Sequence, residues 1–73
     1  MNYPEPNKPA LQEKIVEIVV DNSGGIKFLE LVLALAETSK FRKEYSFESE
    51  KFLHNVEWYC RNTKGLKVLD YSH

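Results

Sequence analysis

Four side chains that can contact an anion or anchor a partner recur near the end of this 73-residue chain. They are Lys51, His54, Trp58 and Arg61. Their spacing of three or four positions places them in one stripe on the outer side of a helix. Basic side chains meet phosphates and base edges, whereas a Trp can anchor a protein partner. With Asn55 beside it as a further amide, the stripe predicts a face that binds protein or nucleic acid.

Acidic residues on the same helix weigh against nucleic acid as the partner. Glu50 precedes His54 by four positions and Glu57 precedes Arg61 by four, the spacing of ordinary pairs worth about 0.2–0.5 kcal/mol. Glu48 and Glu50 in the first turn suit the helix dipole but would repel a duplex. The alternative interpretation is a solvated helix face with one partly packed Trp.

A second basic cluster precedes this helix in the loop of residues 39–46. It contains Lys40, Arg42 and Lys43, with Phe41 and Tyr45 between and beside them. Basic and aromatic side chains together can grip phosphates and stack on bases. The competing interpretation is a surface loop whose aromatic rings cover a small core. If loop and stripe adjoin in space, they form one basic patch.

Catalytic and cofactor chemistry find little support in the remaining motifs. Cys60 and His54 lie six positions apart, about 240° around a helix, so they do not form a nucleophile and base pair. One Cys and two His do not make a recognisable metal set. The segment Ser23–Lys27 lacks the spacing of a phosphate-binding loop. We therefore expect no enzyme, no cofactor and no small-molecule substrate.

The composition is that of one small soluble domain. The net charge is −1, 42% of residues are hydrophobic and 29% are charged, so the chain has no basic excess for phosphate contacts. A single cysteine predicts a reducing, cytoplasmic setting without an internal disulfide. The first residues show no secretory pattern, and the longest apolar run, Leu31–Ala36, is too short to span a membrane.

The elements that must position the stripe begin after a proline-rich start. Residues 1–9 contain all three prolines and are expected to form a flexible arm, with residues 10–73 as the domain. Pro9 suits the first turn of a helix, and Gly24 and Gly25 suit its end. The apolar face of this first helix is Leu11, Ile15, Ile18 and Val19.

Four further elements follow the first helix in the predicted order. They are a short strand at Ile26–Phe28, a buried helix at Leu29–Thr38, a long helix at Phe47–Asn62 and a strand at Leu66–Tyr71. We expect the two strands to pair. The predicted fold class is mostly α with a small β component: three helices and a minimal two-stranded sheet.

One competing arrangement concerns residues 14–32. The segment Lys14–Val20 is rich in β-branched residues, which favour strands, and could return through the glycines as a β-hairpin. Helix is favoured because the helical period begins upstream at Leu11.

This order of elements resembles the winged-helix branch of helix-turn-helix domains. The residues that carry the resemblance are Gly25–Leu31 and Val56–Tyr71, within a similarity that spans residues 10–71. The resemblance implies a short strand leading into the second helix, and a third helix ending in a glycine before a strand. Only one strand is predicted after the third helix, so the hairpin that forms the family's wing is expected to be missing or vestigial.

Two functions follow from these observations. The first is a small non-catalytic protein-interaction module of a cytosolic regulator, which binds a protein partner or a second copy through the outer face of the third helix. The near-zero net charge, the missing wing and the acidic start of that helix favour it. The alternative is a helix-turn-helix transcriptional regulator that binds double-stranded DNA.

Overall fold

The computed structural model describes residues 5–38 and 50–71 of the chain. Within these ranges it forms three helices and two short strands. They are α1 (Pro9–Asp21), β1 (Ile26–Lys27), α2 (Phe28–Glu37), α3 (Glu50–Asn62) and β2 (Val68–Leu69). The predicted fold class, mostly α with a small two-stranded sheet, is confirmed.

Helix α1 forms as the apolar spacing predicts. Pro9 is its first residue, where the missing N–H costs nothing and the fixed φ suits the helix. One face of α1 is buried, comprising Leu11, Ile15 and Val19. Residues 14–32 therefore form two helices joined by a turn and a short strand, and the hairpin alternative is excluded.

The turn after α1 uses a glycine for backbone geometry. Gly25 has a φ of +104°, a left-handed conformation that side chains other than glycine rarely adopt. A Cβ atom at this position would also lie 3.2 Å from Cγ of Lys67. The glycine thus lets the turn pass close to the segment that leads into β2.

The two strands pair in parallel, with Ile26 opposite Val68 and Lys27 opposite Leu69. The N–H of Ile26 donates a hydrogen bond to the carbonyl of Lys67 at 3.1 Å, just before the paired residues. Ile26 and Val68 face the core, while Lys27 and Leu69 are exposed. The predicted pairing of these two segments is confirmed.

Both strands are shorter than predicted, for local reasons. Phe28 begins α2, and the side chain of Glu30 accepts a hydrogen bond from the N–H of Lys27 at 3.2 Å, which satisfies a donor at the helix entry. Strand β2 ends at Leu69 because Asp70 has a φ of +52°, outside the extended region. The chain turns there and brings Tyr71 back onto the domain.

One hydrophobic core joins all five elements. Its buried residues come from α1, β1, α2, α3 and β2. Helix α2 contributes Phe28, Leu31, Val32 and Leu35, and α3 contributes Phe52, Val56, Tyr59 and Cys60. On the outer side of α2, Leu29 and Leu33 are exposed. None of the helices in the described ranges is both long and apolar enough to cross a bilayer.

Candidate interaction surface

Helix α3 presents the predicted stripe in two different environments. Lys51 and Arg61 are exposed, whereas His54 and Trp58 are half-buried. Trp58 packs against the edge of the core. The stripe is therefore charged at its two ends and largely covered in the middle, so its residues do not form one uniformly accessible surface.

Asn55, expected beside the stripe, lies on the other side of the helix. It is only 5% exposed and is the one buried polar residue of the described core. Asn55 is three positions after Phe52 and four before Tyr59, so the helical period carries it to the core face. Asn55 therefore does not lie on the outward face where it was expected, and its role in binding stays a prediction.

Trp58 lies on the flank of α3 that faces the start of the chain. Its ring meets the ring of Tyr59 edge-on, with centroids 5.7 Å apart and planes at 89°, an arrangement that aromatic pairs prefer. One turn later, the Asn62 side-chain amide donates to the Trp58 carbonyl at 2.8 Å. The indole ring thus contacts Tyr59, whereas Asn62 bonds to the backbone of Trp58.

Residues 5–8, here named the N-terminal strap, lie across this flank of α3. The hydroxyl of Tyr59 accepts a hydrogen bond from the N–H of Lys8 at 2.7 Å and donates one to the carbonyl of Pro6 at 3.1 Å. One buried tyrosine therefore holds the strap at two backbone positions. The sequence predicted a flexible arm here, whereas this part of it makes specific long-range contacts.

The strap, the start of α1 and α3 together line an open cleft of about 310 Å³. Its aromatic and apolar lining comes from Trp58, Tyr59, Pro6 and Pro9. Its polar lining consists of Glu5, Asn7, Lys8, Gln12 and Asn62. The set contains one carboxylate and one ammonium group, so the lining carries no net charge. Aromatic and proline rings with neutral amides suit a peptide better than a phosphate.

The opposite flank of α3 holds the other end of the described chain. The Arg61 guanidinium lies 4.1 Å from the centroid of the Tyr71 ring, a cation–π contact. Arg61 also donates to the carboxylate of Glu57 at 2.8 Å, as the spacing predicted. The Tyr71 ring in turn lies 5.5 Å from that of Phe28. We name Arg61, Tyr71 and Phe28 the C-terminal latch.

Cys60 lies between these two flanks of α3, and its thiol has low reactivity. Burial raises the pKa of its thiol to about 12, the negative charge of Glu57 adds to this, and Arg61 partly offsets it. At neutral pH the thiol is therefore protonated and is a poor nucleophile. Burial likewise raises the pKa of Tyr71; the interactions with Cys60 and Glu57 act in the same direction, and Arg61 partly offsets them.

Two parts of the predicted site have different outcomes. Lys40, Arg42 and Lys43 lie outside the described residues, so the proposed patch of loop and stripe stays a prediction. In the described ranges, no three His, Cys, Asp or Glu side chains converge on a point that could hold a metal ion.

The sequence analysis assigned no role to Tyr59, which holds the strap. A usable signal was present, because a tyrosine on a buried helix face must find a partner for its hydroxyl. Its partners come from residues about fifty positions earlier, which no spacing rule along the helix could identify.

Comparison with known proteins identifies no relative. The chain matches no protein-family model, no curated protein and no solved structure at a level of similarity that would establish a relationship.

Proposed function

We propose that this chain is a small, non-catalytic protein-interaction module of a cytosolic regulatory protein, and that it binds its partner through the outer face of α3. The observation that carries the proposal is the cleft beside Trp58, with its rings, amides and balanced charge. Half-buried aromatic residues at such a position are typical anchors of protein interfaces, because they bring large apolar area at low entropic cost.

The distribution of charge on α3 also favours a protein partner over DNA. Arg61 already contacts Glu57 and the Tyr71 ring, so a phosphate would compete with both. Asn55 is buried and cannot reach a base. Of the described residues assigned to nucleic-acid binding, Lys51 is the exposed cation for which no such competing contact is seen. A DNA-binding winged-helix regulator remains the alternative, and it depends on the basic loop at Lys40–Lys43.

A matched pair of substitutions tests the proposal. Asn62 lines the cleft, whereas Asn22 follows α1 and does not line it. Both are exposed, and each side chain donates to the carbonyl four residues earlier at 2.8 Å. Asn62→Lys and Asn22→Lys therefore make the same chemical change and lose the same local hydrogen bond. Only the first adds a long charged side chain to the cleft.

The measurement is affinity capture on the immobilised full chain, with retained proteins identified by mass spectrometry, beside sedimentation velocity of the free chain. We expect a partner, or a second copy, that binds the unmodified chain and the Asn22→Lys variant but loses at least tenfold in affinity with Asn62→Lys. Equal binding by both variants would reject the cleft as the binding face.

Duplex DNA distinguishes the alternative, because an added lysine then acts in the opposite direction. A DNA-binding face would gain affinity from Asn62→Lys, and its binding constant would fall steeply with salt concentration. Duplex binding with that salt dependence, and no protein retained, would replace the proposed function by the alternative.

A further inference from the structure

We infer that the flank of α3 around Trp58 and Tyr59 is a groove for a short, non-helical, proline-containing peptide, and that the strap occupies part of it as an intramolecular competitor. This inference rests on the proposed function and names the class of partner. The strap is then a cover that a true ligand must displace or extend.

The contacts that hold the strap are of a kind that any peptide could make. Tyr59 bonds to the N–H of Lys8 and to the carbonyl of Pro6, which are both main-chain groups. No side chain of the strap takes part in these two hydrogen bonds. Recognition through main-chain groups can therefore transfer from the strap to a peptide of another sequence.

The rings that line the groove define which residues such a peptide should contain. Pro6 and Pro9 line the same cleft as Trp58, so proline rings already lie beside an aromatic surface there. Proline loses little conformational freedom on binding, since its φ is fixed in advance, and aromatic grooves exploit this in known modes of peptide recognition. The cleft volume of about 310 Å³ leaves room beside the strap for further ligand residues.

The strap competes because it is joined directly to α1. Pro9 is the first residue of the helix and follows Lys8 without a linker, so the strap stays within reach of the groove at a high effective concentration. A free peptide binds only while the strap is released, and its apparent affinity falls by the fraction of open molecules. The groove should therefore bind weakly until the strap is loosened.

The backbone of Lys8 offers a way to release the strap without touching α3. Lys8 has a φ of −134°, whereas a proline at this position would be fixed near −65° and would have no N–H to donate to Tyr59. Lys8→Pro in the full chain should therefore free the strap. Lys8→Ala is the matched control, because it removes the exposed side chain and keeps the backbone donor.

The test titrates each full-length variant with a capped synthetic peptide that has the sequence of residues 5–9, EPNKP. Trp58 is the only tryptophan of the chain, so its fluorescence and its indole N–H resonance report on the groove alone. We expect the Lys8→Pro chain to bind the peptide roughly 10- to 30-fold more tightly than the Lys8→Ala chain, as two released hydrogen bonds imply. The same peptide with both prolines replaced by alanine should bind at least fivefold more weakly.

A second variant guards against a folding defect in Lys8→Pro. The double variant Pro6→Gly, Asn7→Gly changes two residues that lie outside every described helix and strand. It raises the entropy that is lost when the strap docks. It should bind the peptide more tightly than the Lys8→Ala chain. Equal peptide affinity in the released and control chains, or no peptide binding to any chain whose circular dichroism shows a folded domain, would overturn the inference.

The outcome separates this inference from the proposed function. A partner lost with Asn62→Lys but a peptide that binds no released chain would leave the interaction module intact and exclude the peptide groove. If the Asn62→Lys variant loses no partner and no released chain binds the peptide, both the proposed function and the peptide groove are rejected.

Discussion

The N-terminal strap and the C-terminal latch both hold an end of the described chain against α3, and they use the two halves of a tyrosine differently. The hydroxyl of Tyr59, on the helix, bonds to the backbone of the strap. In the latch the tyrosine belongs to the terminal segment, and the ring of Tyr71 lies against Phe28 and Arg61. One end is held by polar groups and the other by rings.

This difference should make the strap the easier end to release. The two hydrogen bonds of the strap are partly buried and can be exchanged for bonds to water, and each contributes only about 0.5–1.5 kcal/mol net. The latch is continuous with the core through Phe28 and with the sheet through β2, so its release exposes apolar surface. A module that must open a groove would open it at the strap.

The largest expected effect comes from removing the buried ring of the latch. Phe28→Ala should lower the free energy of unfolding by about 3–5 kcal/mol, because it leaves a cavity at a fully buried site. That is a large share of the roughly 4–11 kcal/mol expected for a chain of this length. Urea denaturation measures it. Leu29→Ala, at a neighbouring residue that is 56% exposed, should cost less than about 1 kcal/mol; comparable losses in both variants would contradict the assignment.

Alkaline pH should have the next largest effect on the free energy of unfolding. The thiol of Cys60 has a pKa of about 12 in the folded chain against 9.0 ordinarily, so the folded state favours the protonated form. The associated stabilisation is complete below pH 9 and is lost as the pH rises towards 12. The raised pKa of Tyr71 acts in the same direction. Between pH 9 and 10.5 we expect a loss of about 2 kcal/mol, at about 1.4 kcal/mol per pH unit.

Cys60→Ala is the variant that isolates this thiol. It should be less stable at neutral pH, because it removes a buried side chain, yet its stability should decline less steeply above pH 9. Chemical denaturation at a series of pH values gives both slopes. Parallel slopes for the two chains would show that the thiol does not cause the alkaline loss.

Removing the strap's anchor should have a smaller effect on global stability. Tyr59→Phe keeps the ring beside Trp58 and removes both hydrogen bonds to the strap, which should cost about 1–2 kcal/mol. Amide hydrogen exchange at Lys8 should accelerate at least tenfold, while exchange in β2 should change much less. Lys8→Ala keeps the N–H donor and should leave both measurements near those of the unmodified chain.

The smallest effect separates the cation–π contact of the latch from an ordinary ion pair. Arg61→Gln removes the contact with Tyr71 and the pair with Glu57, for an expected loss of about 1 kcal/mol. Lys14→Gln removes a surface pair with Glu17 at 3.2 Å, worth at most about 0.5 kcal/mol. The difference in urea midpoints should persist in 0.5 M salt; its disappearance would mean that only the ion pair mattered.

The sequence was sufficient for the elements but not for their ends. Apolar spacing at Leu11, Ile15 and Val19 identified α1, and the glycines marked its end, because both signals are local. The extent of β2 was overestimated, since LKVLDY alternates as a strand does. The left-handed backbone at Asp70 has no signature in that pattern.

The candidate site shows where such reasoning fails. The polar side chain of Asn55 predicts an outward position, whereas its spacing from Phe52 and Tyr59 predicts the core face, where the structure has it. Trp58 has the helical spacing of the outward stripe, whereas the structure has it half-buried. The strap that makes its surroundings a cleft comes from a segment with no periodic pattern. Contacts between residues far apart in sequence leave no trace in local spacing.

The parallel pairing of β1 with β2 has a consequence for how the chain folds. Ile26 pairs with Val68, and the N–H of Lys8 bonds to Tyr59, 51 positions later, so both contacts join residues that are far apart in the chain. Forming such contacts costs loop-closure entropy before the contact energy is gained. They therefore slow folding and tend to complete it in one cooperative step. During synthesis, α1 and α2 would leave the ribosome with their apolar faces open until α3 and β2 follow. The domain can therefore close only after α3 and β2 have been synthesised.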